Sequence, residues 1–465
     1  MAASFDLVVL GAGSGGYACA LRAAQLGFMV ALVEKDKVGG TCLHRGCIPT
    51  KAMLHAAEVA DSVRDGSQFG VHAAIDKIDL AGVVTYADSV VGRIYRGLSG
   101  LVSSRGITVV HGAGSLTQHD GRPAVTVGDE TYQAPNLVLA TGSYARSLPG
   151  LEIDGLKILT SEQALRLERL PASAMVLGGG VIGVEFASAW RSFGVNVTIV
   201  EALPRLVSGE DSAVSAALER AFRKRGINVL TGAAMSACQT AESGVRLELE
   251  DGQQLEAELL LVAVGRGPQT TGLGYQETGV DLEDGFVTVN ERLETSVPGV
   301  YAVGDLVPGL QLAHRGFAHG IFVAEEIAHR TGALEQAPAA IVDVDVPRVT
   351  YCDPEIASVG LSEDDARTRF GEVETFTYDL AGNGKSQILK TRGFVKLVRR
   401  PSGPVVGIHM IGARVSELVG EAQLITNWDA FPADVAGLIH AHPSQSETLG
   451  EAHLALAGKP LHSHG

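Results

Sequence analysis

The residues that could do chemistry fall in two short stretches near opposite ends of this 465-residue chain. In the first, Gly39-Gly40-Thr41-Cys42-Leu43-His44-Arg45-Gly46-Cys47-Ile48-Pro49-Thr50-Lys51 sets two cysteines five positions apart. Such a pair can be two structural thiols, two metal ligands or a redox disulfide. Zinc pairs usually sit about two to four apart and need a second Cys/His pair, which no other stretch completes, so no metal site is expected. Structural bridges are unusual in a reducing compartment, which leaves redox exchange. In a straight helix, residues five apart rise about 7.5 Å, with Cα atoms roughly 8–9 Å apart. A disulfide tolerates no more than about 7 Å. The segment must therefore be a distorted or broken helix, for which Gly46 and Pro49 are suitable, and a strained bridge is easier to reduce.

The second stretch is His440-Ala441-His442-Pro443-Ser444-Gln445-Ser446-Glu447. Disulfide exchange needs a base, because the thiolate is the nucleophile and free thiols titrate near about 8.5. A histidine suits that task, and a carboxylate on its other ring nitrogen would fix tautomer and orientation.

Between and around these stretches, one arrangement of strand, glycine turn, helix, strand and acid occurs twice. The first copy runs from the apolar Phe5–Leu10 through Gly11-Ala12-Gly13-Ser14-Gly15-Gly16, an Ala-rich helix over Tyr17–Leu26, and a strand closed by Glu34. The second runs from Ala174–Leu177 through Gly178-Gly179-Gly180-Val181-Ile182-Gly183, a helix to Phe193, and Val195–Val200 closed by Glu201. In each, the first glycine permits the tight turn, the next lets the chain approach a pyrophosphate, and the last lets helix and strand pack closely. The helix N-terminus faces the phosphates and the acid a ribose hydroxyl. Glu201 would repel a 2′-phosphate and so favours NAD over NADP. Pro204 is expected to turn the chain away before Arg205.

Composition agrees. There are 57 glycines, where ordinary usage of about 7% would give roughly 33. The net charge of −16 argues against nucleic acid and anionic membranes as partners. No apolar run is long enough to span a membrane, and the N-terminus enters a strand with no basic leader, so a cytoplasmic protein is expected. Cys19, Cys238 and Cys352 read as buried core thiols.

The GGTCLHRGCIPTKA segment resembles the active-site motif of the flavin-dependent pyridine-nucleotide-disulfide oxidoreductases, and the similarity extends over essentially the whole chain. Within that family it is greatest to the members that oxidise dihydrolipoamide. The resemblance implies FAD at Gly11, Gly13, Gly16 and Glu34, with Gly40 and Thr41 beside it, and NAD at Gly178, Gly180, Val181, Ile182, Gly183 and Glu201. It implies that Cys47 lies against the flavin and Cys42 exchanges with substrate. Lys51 resembles the lysine near the flavin N5, and Glu185 its ion-pair partner. Thr141, Gly142 and Ser143 match a strand-end contact to flavin, and Gly114 a glycine near the adenine. Gly265 and Arg266 sit where the family's nicotinamide-domain loop lies. Gly304 and Asp305 resemble the second FAD motif, and Ala313 with His314 the helix start under the flavin ring. His442 and Glu447 match the family's catalytic dyad; His440 is the weaker candidate for the base.

The expected fold is α/β: an FAD-binding domain (1–149), an NAD-binding domain (150–272), a central domain completing the FAD site (273–342) and an α+β interface domain (343–465). The resemblance implies a homodimer with shared sites. Its partners would be dihydrolipoamide on the lipoyl domains of 2-oxo acid dehydrogenase complexes or on the H protein of glycine cleavage. The rival reading is a reductase of another small disulfide, of glutathione or mycothiol type. A mercuric reductase would need a C-terminal cysteine pair, a flavin transhydrogenase would lack the redox pair, and a non-catalytic docking subunit would not need the dyad. Two positions depart from the family pattern: His319 replaces an acid, and the 380–386 segment matches only in part. Neither is expected to touch the chemistry; both are expected to bear on subunit contacts and effector response.

Overall fold

The computed structural model describes residues 5–462 and divides into two compact units. The first comprises the chain through Ala52, Ala81–Arg146 and Gly265–Asp343; the second comprises Met53–Leu80, Ser147–Val264 and Val344 onward.

At the centre of the first unit is a five-stranded parallel sheet in the order Val300–Ala302, Asn136–Leu139, Leu7–Leu10, Val30–Glu34, Thr108–His111. Its inner strands are buried on both faces, which is why they read as unbroken apolar runs rather than alternating ones. On one face, Leu7, Val9 and Leu32 pack with Cys19, Phe322 and Ile327 from the helices Ser14–Gln25 and Ala313–Arg330. These two helices approach very closely: a Cβ added at Gly320 would lie 2.2 Å from the Gly15 carbonyl oxygen. On the other face, Val8, Leu10 and Val33 pack with Leu116 and Val125 of a three-stranded antiparallel sheet.

The second unit holds another five-stranded parallel sheet, ordered Asn228–Thr231, Asn196–Glu201, Ser173–Leu177, Leu259–Val262, Ile158–Leu159. The helix Val181–Ser192 follows its central strand. A five-stranded antiparallel sheet made of Arg348–Thr350, Glu355–Gly360, Val405–Gly412, Phe394–Arg399 and Glu374–Asp379 carries the helices Val419–Asn427 and Glu447–Leu456 on a shared core. Lys396, on this sheet, is buried between Asp211 (2.9 Å) and Glu363 (2.8 Å). The fold class is thus the expected one, with two parallel nucleotide-type sheets and an α+β C-terminal part. The first strand begins at Leu7 and its helix at Ser14, two residues later and three earlier than the residue pattern suggests. Cys19 and Cys352 are buried as expected, whereas Cys238 is only partly so.

Candidate active site

The cysteine pair lies across a helix break. Gly40–Arg45 is a six-residue helix that ends at Gly46, whose φ of −132° and ψ of −108° are non-helical, and a 19-residue helix restarts at Cys47. The distortion expected from spacing is present, and it falls at Gly46. Pro49 lies inside the first turn of the new helix, where a missing N–H costs nothing. The break brings the two thiols into hydrogen-bonding contact. Cys42 is pushed up by that hydrogen bond first and by burial second, while the Lys51 ammonium pulls it down. Beside it stands Tyr17, whose hydroxyl is raised to about 12 by burial and by the Cys42 charge. Its ring packs on Phe317, with centroids 5.5 Å apart.

The first glycine turn is shaped for a dinucleotide. Gly11 has φ of +101°, and a Cβ there would lie 2.4 Å from the Ala140 carbonyl oxygen; a Cβ on Gly16 would lie 1.8 Å from the Gly11 oxygen. Gly13 caps the helix Ser14–Gln25, and a Cβ on it would meet nothing within 4 Å. That open space at a helix N-terminus is a cradle for phosphate oxygens. The Glu34 carboxylate is held by the N–H groups of Ala12 (2.8 Å) and Asp36 (2.8 Å), which leaves one acceptor lone pair on each oxygen for ribose hydroxyls. Gly40 lies against this turn: its Cβ would come within 2.6 Å of the Gly13 Cα. Thr41 follows it in the same helical turn.

Farther along the first unit, Ser143 and Asp305 meet. Ser143 Oγ donates to Asp305 Oδ2 at 2.5 Å, and Arg266 donates to Ser143 Oγ and to its carbonyl oxygen, each at 2.7 Å. Gly265 and Gly142 adopt φ of +102° and +76°, and Arg266–Pro268 pairs antiparallel with Ser143–Ala145. Arg266 is therefore placed with the Ser143 strand. Thr141 donates to the Gln269 carbonyl oxygen at 2.7 Å and faces the buried Tyr275 hydroxyl at 2.9 Å. Gly114 is required by packing, since a Cβ would come within 2.8 Å of Leu10 and Val33. Ala313 opens its helix with His314 exposed.

In the second unit, Gly178, Gly180 and Gly183 repeat the first turn. Gly178 has φ of +108°, a Cβ on Gly183 would lie 2.0 Å from the Gly178 oxygen, and Gly180 caps Val181–Ser192 with open space before it. Val181 and Ile182 form the first helical turn, with Val181 exposed at its mouth. Glu201 accepts from the N–H groups of Gly179 (2.5 Å) and Leu203 (2.7 Å), while Arg205 donates to the Ser208 carbonyl oxygen. Glu185 is buried and accepts from Tyr351 N at 3.0 Å.

At the C-terminal end of the same unit, His442 Nδ1 lies 2.8 Å from Glu447 Oε1. Glu447 Oε2 accepts from Ser444 N at 2.7 Å. Burial pushes the Glu447 carboxyl up, but the Ser444 N–H and His442 outweigh it, and the net shift is down. An ionised Glu447 holds the proton on Nδ1 and leaves Nε2 as the basic nitrogen. His440 is committed elsewhere: its Nε2 faces Glu421 at 2.8 Å.

Both departures from the family pattern make contacts next to residues described above. His319 is buried and held neutral, lowered to about 4 by burial and by Arg315. Its Nδ1 accepts from Gly304 N at 3.3 Å, next to Asp305. The 380–386 segment packs against the turn that carries His442: Asn383 donates to the Ser444 carbonyl oxygen at 3.1 Å. No local sequence signal marks these contacts, nor the Tyr17–Phe317 pair. Among the described residues there is no cluster of metal-binding side chains and no helix long and apolar enough to cross a membrane.

Residues 5–320 match the pyridine nucleotide-disulphide oxidoreductase model and residues 346–453 match the dimerisation domain of the same family. The chain belongs to this family of flavin- and pyridine-nucleotide-linked oxidoreductases. Among its curated relatives is the dihydrolipoyl dehydrogenase of Bacillus subtilis, 39% identical over 99% of this chain and 100% of the relative. The dihydrolipoyl dehydrogenase of Chlorobaculum tepidum is 40% identical, over 97% of each. The crystal structure of LpdA from Mycobacterium tuberculosis superposes with a TM-score of 0.89 at 28% identity, over 97% of this chain and 99% of that one. That of the HOCl-induced flavoprotein disulfide reductase RclA from Escherichia coli gives 0.84 at 25% identity, over 96% and 99%.

Proposed function

We propose that the protein is a homodimeric, cytoplasmic flavoenzyme that oxidises protein-bound dihydrolipoamide to lipoamide and reduces NAD⁺ to NADH. The observation that carries this reading is the touching thiol pair of Cys42 and Cys47 in a chain that also holds a His442–Glu447 dyad. The relatives named dihydrolipoyl dehydrogenase over their full length support the choice of substrate.

His442 Nε2 takes a proton from one substrate thiol, the imidazolium being balanced by Glu447. The substrate thiolate attacks Cys42 Sγ of the oxidised pair, forming a mixed disulfide and releasing the Cys47 thiolate. The second substrate thiol then attacks the first sulfur and passes its proton to the departing Cys42 sulfur, closing the lipoamide ring and releasing Cys42 as a thiol. Two electrons now rest on the cysteine pair and two protons have left the substrate. FAD would be held by the Gly11–Gly16 turn, Glu34, Ser143 and Asp305, and when bound would supply the two-electron transfer from the pair to a nicotinamide. The Gly178–Gly183 turn and Glu201 hold NAD through its phosphates and ribose. The family's arrangement makes the dyad of one subunit serve the cysteines of the other, which is why the dimer is the active unit. The lipoyl domains of 2-oxo acid dehydrogenase complexes or the H protein of glycine cleavage would present the dithiol.

Purified protein loaded with FAD should form NADH from dihydrolipoamide and NAD⁺ with no partner protein present. If it instead reduces glutathione- or mycothiol-type disulfides with NADPH, and leaves dihydrolipoamide untouched, the assignment is wrong.

A further inference from the structure

We propose that Asn383, Ser386 and Gln445 are positioning residues for His442, clamping the turn that carries this base to the helix Gly384–Leu389. The inference rests on the assignment of His442 as the base of dithiol oxidation.

His442 is weakly restrained by its own contacts. In the single chain its side chain is 77% exposed, and among the described residues its ring bonds to Glu447 alone. The residues between His442 and Glu447 are anchored instead. Asn383 is 4% exposed, and its Nδ2 donates to the Ser444 carbonyl oxygen at 3.1 Å. Its Oδ1 accepts from Ser386 N at 2.8 Å, capping the helix Gly384–Leu389. Ser386 is fully buried and its hydroxyl donates to Gln445 Oε1 at 2.8 Å. Gln445 Nε2 in turn donates to the Ala413 carbonyl oxygen at 2.9 Å, just past the strand Val405–Gly412. The backbone of Gly384 lies beside the ring, where an added Cβ would come to rest 3.9 Å from His442 Cε1.

Two buried side chains, Asn383 and Ser386, thus hold Ser444 and Gln445, and Ser386 links Asn383 to Gln445. Such a network is rigid when complete and costly when broken. Ser444 N also holds Glu447 Oε2, so displacing this turn moves both members of the dyad together. A displacement of about 1 Å at a catalytic group can cost on the order of a hundredfold in rate. The charged and titratable groups facing the dyad are the His440–Glu421 pair and Tyr378, which faces Glu447 and Glu451.

The test compares N383S, S386A, Q445L and the S386A/Q445L double variant as FAD-loaded dimers. Serine keeps the helix cap but is too short to reach Ser444. Each single variant should lose about tenfold in kcat for dihydrolipoamide and shift its pH profile. NADH:ferricyanide turnover, which needs no dithiol base, should stay within about twofold of wild type. The double variant should be no worse than Q445L, since it removes both partners of one bond. Wild-type kcat and pH profiles in the variants would overturn the proposal, as would equal losses in the dithiol and ferricyanide rates. A second readout needs no substrate: the pH dependence of Cys42 alkylation by iodoacetamide in dithiothreitol-reduced protein. It should move in the variants, and an unmoved profile overturns the clamp. A wild type that alkylates normally but never oxidises dihydrolipoamide overturns the assigned reaction, and the alkylation profiles then decide the clamp alone.

Discussion

His442 meets Glu447 through Nδ1, at 2.8 Å, and not through Nε2. The carboxylate thereby selects the tautomer whose basic nitrogen points away from the acid. The pair supplies what an exposed imidazole lacks, a defined protonation site and an orientation.

Replacing His442 by glutamine keeps a polar group there but no base. Dihydrolipoamide oxidation should fall by about 10²- to 10⁴-fold. Flavin content and NADH:ferricyanide turnover should be unchanged. A dithiol rate near wild type would remove His442 from the mechanism.

C47S breaks the pair at the sulfur released in the first exchange. NADH formation from dihydrolipoamide should drop to background, because without Cys47 there is no disulfide for the substrate thiolate to attack. Retained turnover would defeat the assignment of the pair.

Glu201 accepts two backbone N–H groups and keeps lone pairs for ribose hydroxyls. E201A should raise KM for NAD⁺ about tenfold, the loss of one to two hydrogen bonds to a charged group, with a smaller effect on NADP⁺. An unchanged NAD⁺/NADP⁺ ratio of kcat/KM would show that the acid does not select the cofactor.

How much of this was legible in the sequence depends on the separation between partners. The cysteine pair, its broken helix and the Gly11–Gly16 and Gly178–Gly183 contacts lie within a few residues, so spacing exposes them, although Gly11 and Gly178 also press on Ala140 and Ala263 from far along the chain. The Gly304–His319 and Asn383–Ser444 contacts join residues that share neither strand nor helix. No periodicity or motif encodes such contacts. They arise from how a helix lies on a sheet and how two turns meet. Cys238 was misjudged for a related reason. An apolar run does not say which face of a small antiparallel sheet is covered.

Three buried histidines give the stability a direction in pH. His319, His409 and His453 are each lowered from 6.5 to about 4, with burial as the largest cause. The unfolded chain therefore takes up protons first. Stability is complete above about pH 6.5 and is lost as the pH falls toward 4, by up to about 3 kcal/mol per histidine. The carboxyl of Glu355, raised by burial, acts in the opposite sense. The urea midpoint should be lower at pH 5 than at pH 7.5, and H409Q should flatten that difference. Equal slopes in H409Q and wild type would exclude His409 as a source.

The helix break at Gly46 has an electrical consequence as well as a steric one. It puts Cys47 at the first position of a 19-residue helix, where N–H groups without partners attract negative charge. Cys42 lies inside a six-residue helix and accepts a hydrogen bond from the Cys47 backbone N–H at the head of the next one. Two side chains of identical chemistry are thus given unlike neighbourhoods by the direction of the peptide chain. The break thereby turns a backbone N–H of the second helix toward the sulfur of the first.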